Sequence, residues 1–285
     1  MHRIFSLRAY GDFIILLQAI IRSPQRADYK IIASKHLEDL YNALSSSINT
    51  NQVQIEFVDF GITKTQLGLF TNKHLIRKGT IREVSKIKAY IKANPNSNTN
   101  TNLNSSPNSN EKGIDYIEQD KRIGLLNVLT GHNFKAIVFE KPIYETYDVF
   151  FKNAPQKVYE VKAQAHNIVL FPDSRLPVKN IPNHLMEVIE KTLQQKGKNI
   201  SAAYFRKKIK ESDLSYDSFE TLLEIIQNAD FVIGADSLPV HICNLIQKPH
   251  YILYPTGYTQ LFMTPFTKTN KCFGEFDHFD LSHIK

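Results

Sequence analysis

Cysteine is nearly missing from this chain: Cys243 and Cys272 are its only two. Two thiols at that spacing build neither a disulfide framework nor a zinc site, and Cys243 reads as a small core residue. Long apolar runs are missing too. The stretch 13–21 is too short to span a bilayer and follows a Gly-Asp turn, so no signal peptide is expected. The chain is therefore expected in the cytoplasm, with room for a peripheral contact at an acidic membrane surface. Zinc-ligand spacing, an arginine-rich arm and an RNA-recognition signature are all lacking, which argues against a nucleic-acid partner despite a pI near 9.2. What is present is positive charge. Thirty-five Lys and Arg against 28 Asp and Glu leave a formal +7, which favours anionic partners such as a nucleotide diphosphate or a phosphorylated glycan.

The 285 residues, 42% of them hydrophobic, suffice for two compact domains. Residues 3–9 read as a strand broken by Gly11-Asp12, then a buried helix over 13–22. Strands over 29–33 and 53–57, with a helix over 35–44 between them, imply a parallel sheet. A helix is expected over 80–92. From 94 to 112 the chain is mostly Asn, Ser, Thr and Pro, the composition of a disordered insertion. A helix over 121–131, a strand over 135–139 and a helix from 144 follow, and the chain is expected to cross between domains within 153–165. The second half begins with a strand over 167–172 and a helix over 183–196. A strand over 200–205, a charged loop over 207–213 and a helix over 216–228 come next. From Phe262 onward the chain reads as irregular and aromatic-rich.

The most informative stretch runs from Phe231 to Tyr254. An apolar strand ends at Gly234, a polar turn follows, a short amphipathic helix starts near Pro239, and a second apolar strand covers 251–254. This is a βαβ unit, whose turn falls at the carboxyl end of a parallel strand, where open α/β sheets bind ligands. Asp236 or Ser237 is placed to cap the helix, and the free N–H groups of its first turn suit a phosphate. His241 lies one turn in and can face the same crevice. Caps and a packed core histidine account for the same three residues equally well.

Gly234-Ala-Asp236-Ser237-Leu-Pro-Val-His241 resembles the G-x-D-[ST]-G-x-x-H signature of the ADP-heptose:lipopolysaccharide heptosyltransferases, glycosyltransferase family 9. The family's glycine is Leu238 here, and a Cβ at that place crowds a diphosphate approaching the backbone. Ser6-Leu-Arg8-Ala-Tyr-Gly11-Asp12 resembles the family's N-terminal Gly-Asp element. Ser174 and Lys179 match its Ser/Thr loop and lysine, with Ile181-Pro182 standing where the family has Trp-Pro. The resemblance implies a GT-B fold: two Rossmann-like α/β domains with parallel sheets facing across a cleft, here residues 1–155 on the acceptor side and 156–285 on the nucleotide-sugar side.

It implies an inverting, metal-independent transferase that moves a heptose or similar sugar from an ADP-heptose-like nucleotide diphosphate donor to an anionic glycan or glycolipid, such as a lipopolysaccharide core. Asp12 would be the general base, its plainer role being a helix N-cap. Ser174, Lys179, Asp236, Ser237 and His241 would line the donor side, and Thr256 and Tyr258 in the Pro-Gly turn would be further donor contacts. No cofactor and no metal are expected, since no close acidic pair resembles the D-x-D motif of metal-dependent sugar transferases, and Lys179 with a helix N-terminus would take over the cation's duty. The chain would work at the inner face of the inner membrane. Two other readings stay open: a catalytically impaired sugar-nucleotide-binding member, prompted by Leu238, and a GT-B-fold nucleotide-sugar epimerase.

Overall fold

A computed structural model describes residues 1–50, 53–62, 78–96, 113–118, 123–138, 142–158, 165–282 and 284. The expected insertion over 94–112 falls mostly outside them. The chain divides into two compact units, one made of 1–41, 49–140 and 149–152, the other of 42–48, 141–148 and 153–285.

The first unit carries a five-stranded parallel sheet, β1 (His2–Ser6), β2 (Tyr29–Ser34), β3 (Gln54–Val58), β4 (Asp115–Glu118) and β5 (Lys135–Ile137), in the order β3-β2-β1-β4-β5. Helices α1 (Tyr10–Arg22), α2 (Glu38–Ser45), α3 (Lys78–Ala93) and α4 (Ile123–Thr130) connect them. Its central strand β1 is buried from Arg3 to Ser6, and α1 is buried along Asp12 to Ile20. Helices cover both faces of such a sheet, so its central strand is buried on both sides. Phe5 anchors the core edge-on to Phe134, with centroids 5.0 Å apart. At the opposite end Arg3 donates to Asp115 at 2.7 and 2.5 Å, an ion pair joining β1 to β4. Sequence spacing gave no sign of it.

The second unit carries six parallel strands: β6 (Asn167–Phe171), β7 (Asn199–Phe205), β8 (Leu214–Tyr216), β9 (Phe231–Ala235), β10 (His250–Tyr254) and β11 (Phe273–Glu275). Their order is β11-β10-β9-β6-β7-β8. Read from the other edge and renumbered within the unit, this is 3-2-1-4-5-6, the order of a dinucleotide-binding sheet, with its reversal of direction between β6 and β9. Helices α5 (Ile143–Phe150), α6 (Asn183–Gln195), α7 (Phe219–Asn228), α8 (Leu238–Leu245) and α9 (Pro265–Asn270) complete the set. Strands β9 and β10 are buried throughout.

The structure corrects several sequence expectations. Gly11-Asp12 does not break the chain: β1 ends at Ser6 and α1 already starts at Tyr10, because first-turn N–H groups need no helical partner and tolerate a glycine there. The stretch before α7 holds the short strand β8, and α7 itself starts at Phe219, where Ser218 accepts a capping bond from the Thr221 N–H. The tail from Phe262 is not irregular. It forms α9, capped by Thr264, and β11, which extends the sheet beyond β10.

Candidate active site

Each parallel sheet has one place where loops from adjacent strands leave in opposite directions, and in the second unit that place lies between β6 and β9. The loop after β6 delivers Lys179 at the end of a 3-10 turn over Pro177–Lys179, and the loop after β9 delivers Asp236. The Lys179 ammonium donates to Asp236 Oδ2 at 2.6 Å, with both side chains buried. His241, in the first turns of α8, presents Nε2 to the other carboxylate oxygen at 3.6 Å. Burial disfavours the Asp236 charge, but His241 and Lys179 beside it hold its carboxyl below the usual carboxylate range.

Gly234 lets this turn form. A Cβ there would meet Val240 Cγ1 at 2.8 Å, so only glycine lets α8 pack this close to the strand it follows. Ser237 occupies the N-cap of α8, but its side chain caps nothing. Its hydroxyl donates instead to the Ala235 carbonyl at 3.3 Å. Asp236 is likewise an ion-pair partner and not the cap that its position suggests. Leu238 opens the helix and Pro239 follows it, so a leucine side chain stands at the mouth of the turn.

Four residues outside the Gly234–His241 motif complete the constellation. Tyr144 on α5 lies with its hydroxyl 3.0 Å from His241 Nδ1. With the carboxylate on the Nε2 side, that nitrogen carries the proton and Nδ1 accepts from tyrosine. Burial, and then the Asp236 charge, push the Tyr144 phenol well above its ordinary range, so it stays a donor. Tyr258 and Phe262 place their rings 5.1 and 5.3 Å from the Lys179 ammonium, within cation–π distance. Tyr254 at the end of β10 is fully buried, and its hydroxyl meets no partner among the described residues.

Ser174 and Thr256 lie farther out. The Ser174 N–H donates to Asn180 Oδ1 at 2.8 Å, which shapes the loop carrying Lys179. Thr256 is exposed in the turn closed by the Tyr258 N–H on the Pro255 carbonyl, where the neighbouring Gly257 N–H reaches Glu275 Oε2 at 3.0 Å. A cavity of about 390 Å³ in the same unit is lined by Tyr144, Glu145, Met263 and Lys268 among others, so the tyrosine separates it from His241.

In the first unit Asp12 is the third residue of α1. The N-cap is Ala9, without a side-chain bond, so Asp12 is not the cap. It is buried, and Arg8 Nε approaches its Oδ2 at 3.5 Å. The Arg8 carbonyl faces His36 Nε2 at 3.2 Å, the other ring nitrogen lies 2.9 Å from Ser34 Oγ, and Tyr10 meets the ring edge-on at 5.7 Å. Burial lowers the His36 pKa, so a neutral ring fixes the turn that carries Arg8.

No family model matches the sequence, and no curated protein does. Solved structures do. E. coli heptosyltransferase WaaC with ADP has a TM-score of 0.56 at 12% identity, covering 96% of this chain and 92% of its own. The glycosyl transferase family 9 structure from Veillonella parvula DSM 2008 has a TM-score of 0.60 at 12% identity, covering 96% of this chain and 85% of its own. For E. coli ADP-heptose lps heptosyltransferase II the TM-score is 0.53 at 11% identity, with 96% and 90% covered. This chain therefore shares the fold class of those sugar transferases, the GT-B class of α/β proteins with two parallel-sheet Rossmann-like domains.

Proposed function

We propose that this protein is an inverting, metal-independent glycosyltransferase that moves a heptose or similar sugar from a nucleotide diphosphate donor to an anionic glycan, with a lipopolysaccharide core as the acceptor class. One observation carries the reading: Lys179 and His241 converge on Asp236 where the second sheet reverses, beside the N-terminus of α8. Neighbours of the same fold were solved with ADP and with ADP-2-deoxy-2-fluoro heptose, which supports a donor of that kind.

In this reading the acceptor hydroxyl attacks the anomeric carbon as its bond to the diphosphate breaks, and Asp12 takes the hydroxyl proton. Asp12 contributes by its position. Charge builds on the departing phosphate, where the Lys179 ammonium and the N–H groups at the start of α8 compensate it. The Ser174 hydroxyl supplies a donor, Ser237 would do so by releasing the Ala235 carbonyl, and Thr256 and Tyr258 border the same edge. Asp236 holds the lysine and the histidine in register.

Thermal shifts with a panel of nucleotide diphosphate sugars identify the donor, because a ligand selective for the folded state raises its melting point. Lys179→Ala is expected to remove the shift. Asp12→Ala is expected to keep it while transfer to acceptor stops. Binding without turnover in the wild type would favour the impaired sugar-nucleotide-binding protein that Leu238 suggests, and isomerisation without acceptor would favour the epimerase.

A further inference from the structure

The loop between β7 and β8 has chemistry that the donor site does not use. The last residue of β7 and the first five of the loop, Phe205-Arg-Lys-Lys-Ile-Lys210, are all exposed. Phe205 is 51% and Ile209 59% exposed, high for large apolar side chains in a unit whose core is otherwise well covered. Neither is a loose end. Phe205 rests against Tyr216 with centroids 5.7 Å apart and carries the Arg206 guanidinium 4.9 Å above its ring.

Ile209 is held out by a buried carboxylate. Asp213, 3% exposed, accepts the Ile209 and Lys210 N–H groups at 2.9 and 2.6 Å, and its own N–H returns to the Lys210 carbonyl at 3.1 Å. Asp213 thus faces inward, while the bases and Glu211 face outward. Lys207 bonds Asp173 at 2.7 Å and Lys210 bonds Glu190 at 2.7 Å, which ties the loop to the loop after β6 and to α6. The first of these also exposes Leu176 and Val178, at 39% and 63%.

We propose that this fixed patch, with Phe205 and Ile209 as apolar anchors and Arg206 and Lys208 as cations, docks the protein onto an anionic lipid bilayer. The occupant follows from the pattern. Apolar side chains enter the headgroup boundary while flanking cations meet lipid phosphates, and both terms are needed for stable attachment. A soluble polyanion would use the cations and leave Phe205 and Ile209 in water.

Co-sedimentation with phosphatidylcholine vesicles, with and without phosphatidylglycerol, tests this on the full chain. The wild type is expected to bind the anionic vesicles and to release in high salt. Arg206→Ser with Lys208→Ser should weaken binding about 25-fold, from roughly fivefold per cation removed. Ile209→Asp, which removes an apolar anchor and adds a repelling charge, should weaken it by about tenfold or more, and Val128→Asp, at an exposed position of α4 in the other unit, should change nothing. Unchanged melting temperatures separate loss of docking from loss of fold. Equal binding to neutral vesicles, wild-type binding by the loop variants, or binding to inorganic polyphosphate but to neither vesicle would each overturn the proposal. No sugar donor enters the assay, so its outcome is independent of the transferase reading.

Discussion

Asp12 and Asp236 are both buried carboxylates at the carboxyl edge of a parallel sheet, yet they are held in different ways. The Asp236 side chain is 1% exposed and meets its ammonium at 2.6 Å. Asp12 meets a guanidinium at 3.5 Å, and that arginine is 23% exposed. One carboxylate is locked into a dry network with a histidine and a tyrosine behind it, and the other is loosely paired near water. A locked carboxylate orders its partners, whereas a loosely paired one is free to turn toward a second group.

The most direct way to break this comparison is the same substitution at both places. Asp12→Asn should lower transfer by about 10²- to 10⁴-fold, the usual worth of a general base, and leave melting and donor binding near wild type. Asp236→Asn should instead cost about 3–5 kcal/mol of stability, because it leaves a buried ammonium with a neutral partner. Urea unfolding and single-turnover transfer on both variants decide it. If both lose turnover at unchanged stability, the contrast is gone.

A second buried histidine sharpens the contrast within the second unit. His250 on β10 places Nδ1 2.8 Å from the Lys248 carbonyl and Nε2 2.7 Å from Thr264 Oγ1, stacked on Phe266 at 4.8 Å. Burial pushes its pKa down to about 3. The folded state therefore rejects a proton that the unfolded chain accepts near pH 6.5. Its contribution is complete above that pH and fades as pH falls toward 3, by on the order of 5 kcal/mol. Asp236, also held low, acts in the same direction: its contribution is present above the ordinary carboxylate range and is lost below it. Stability measured between pH 7 and pH 4 should fall less steeply in His250→Gln than in wild type. An unchanged slope would mean that another group carries the dependence.

Tyr144→Phe is the smallest change. It leaves His241 Nδ1 buried without a donor, which should cost about 1–2 kcal/mol in chemical denaturation. Donor affinity should drop with it, as the ring loses a hydrogen bond that holds its orientation.

The central strands and the helices after them were legible because buried parallel strands read as unbroken apolar runs, as in 168–171 and 231–235. Lys179, Asp236 and His241 were legible as a motif, and the fold brings them together. Tyr144 was not, since it lies 97 positions from His241 and only the tertiary fold joins them. Strands β8 and β11 have three residues each, too few to show alternation. The start of α1 was misread because Gly11-Asp12 looks like a stop to a local rule, whereas the first turn of a helix asks nothing of those residues.

Because Asp236 already balances the lysine, this corner carries little net field toward solvent. A lone inorganic phosphate arriving there must compete with the resident carboxylate for the same ammonium protons and gains little by it. A ligand anchored at several points can hold its charge against the pair long enough to share the ammonium, so the occupant is selected by the number of its attachments more than by the size of its charge.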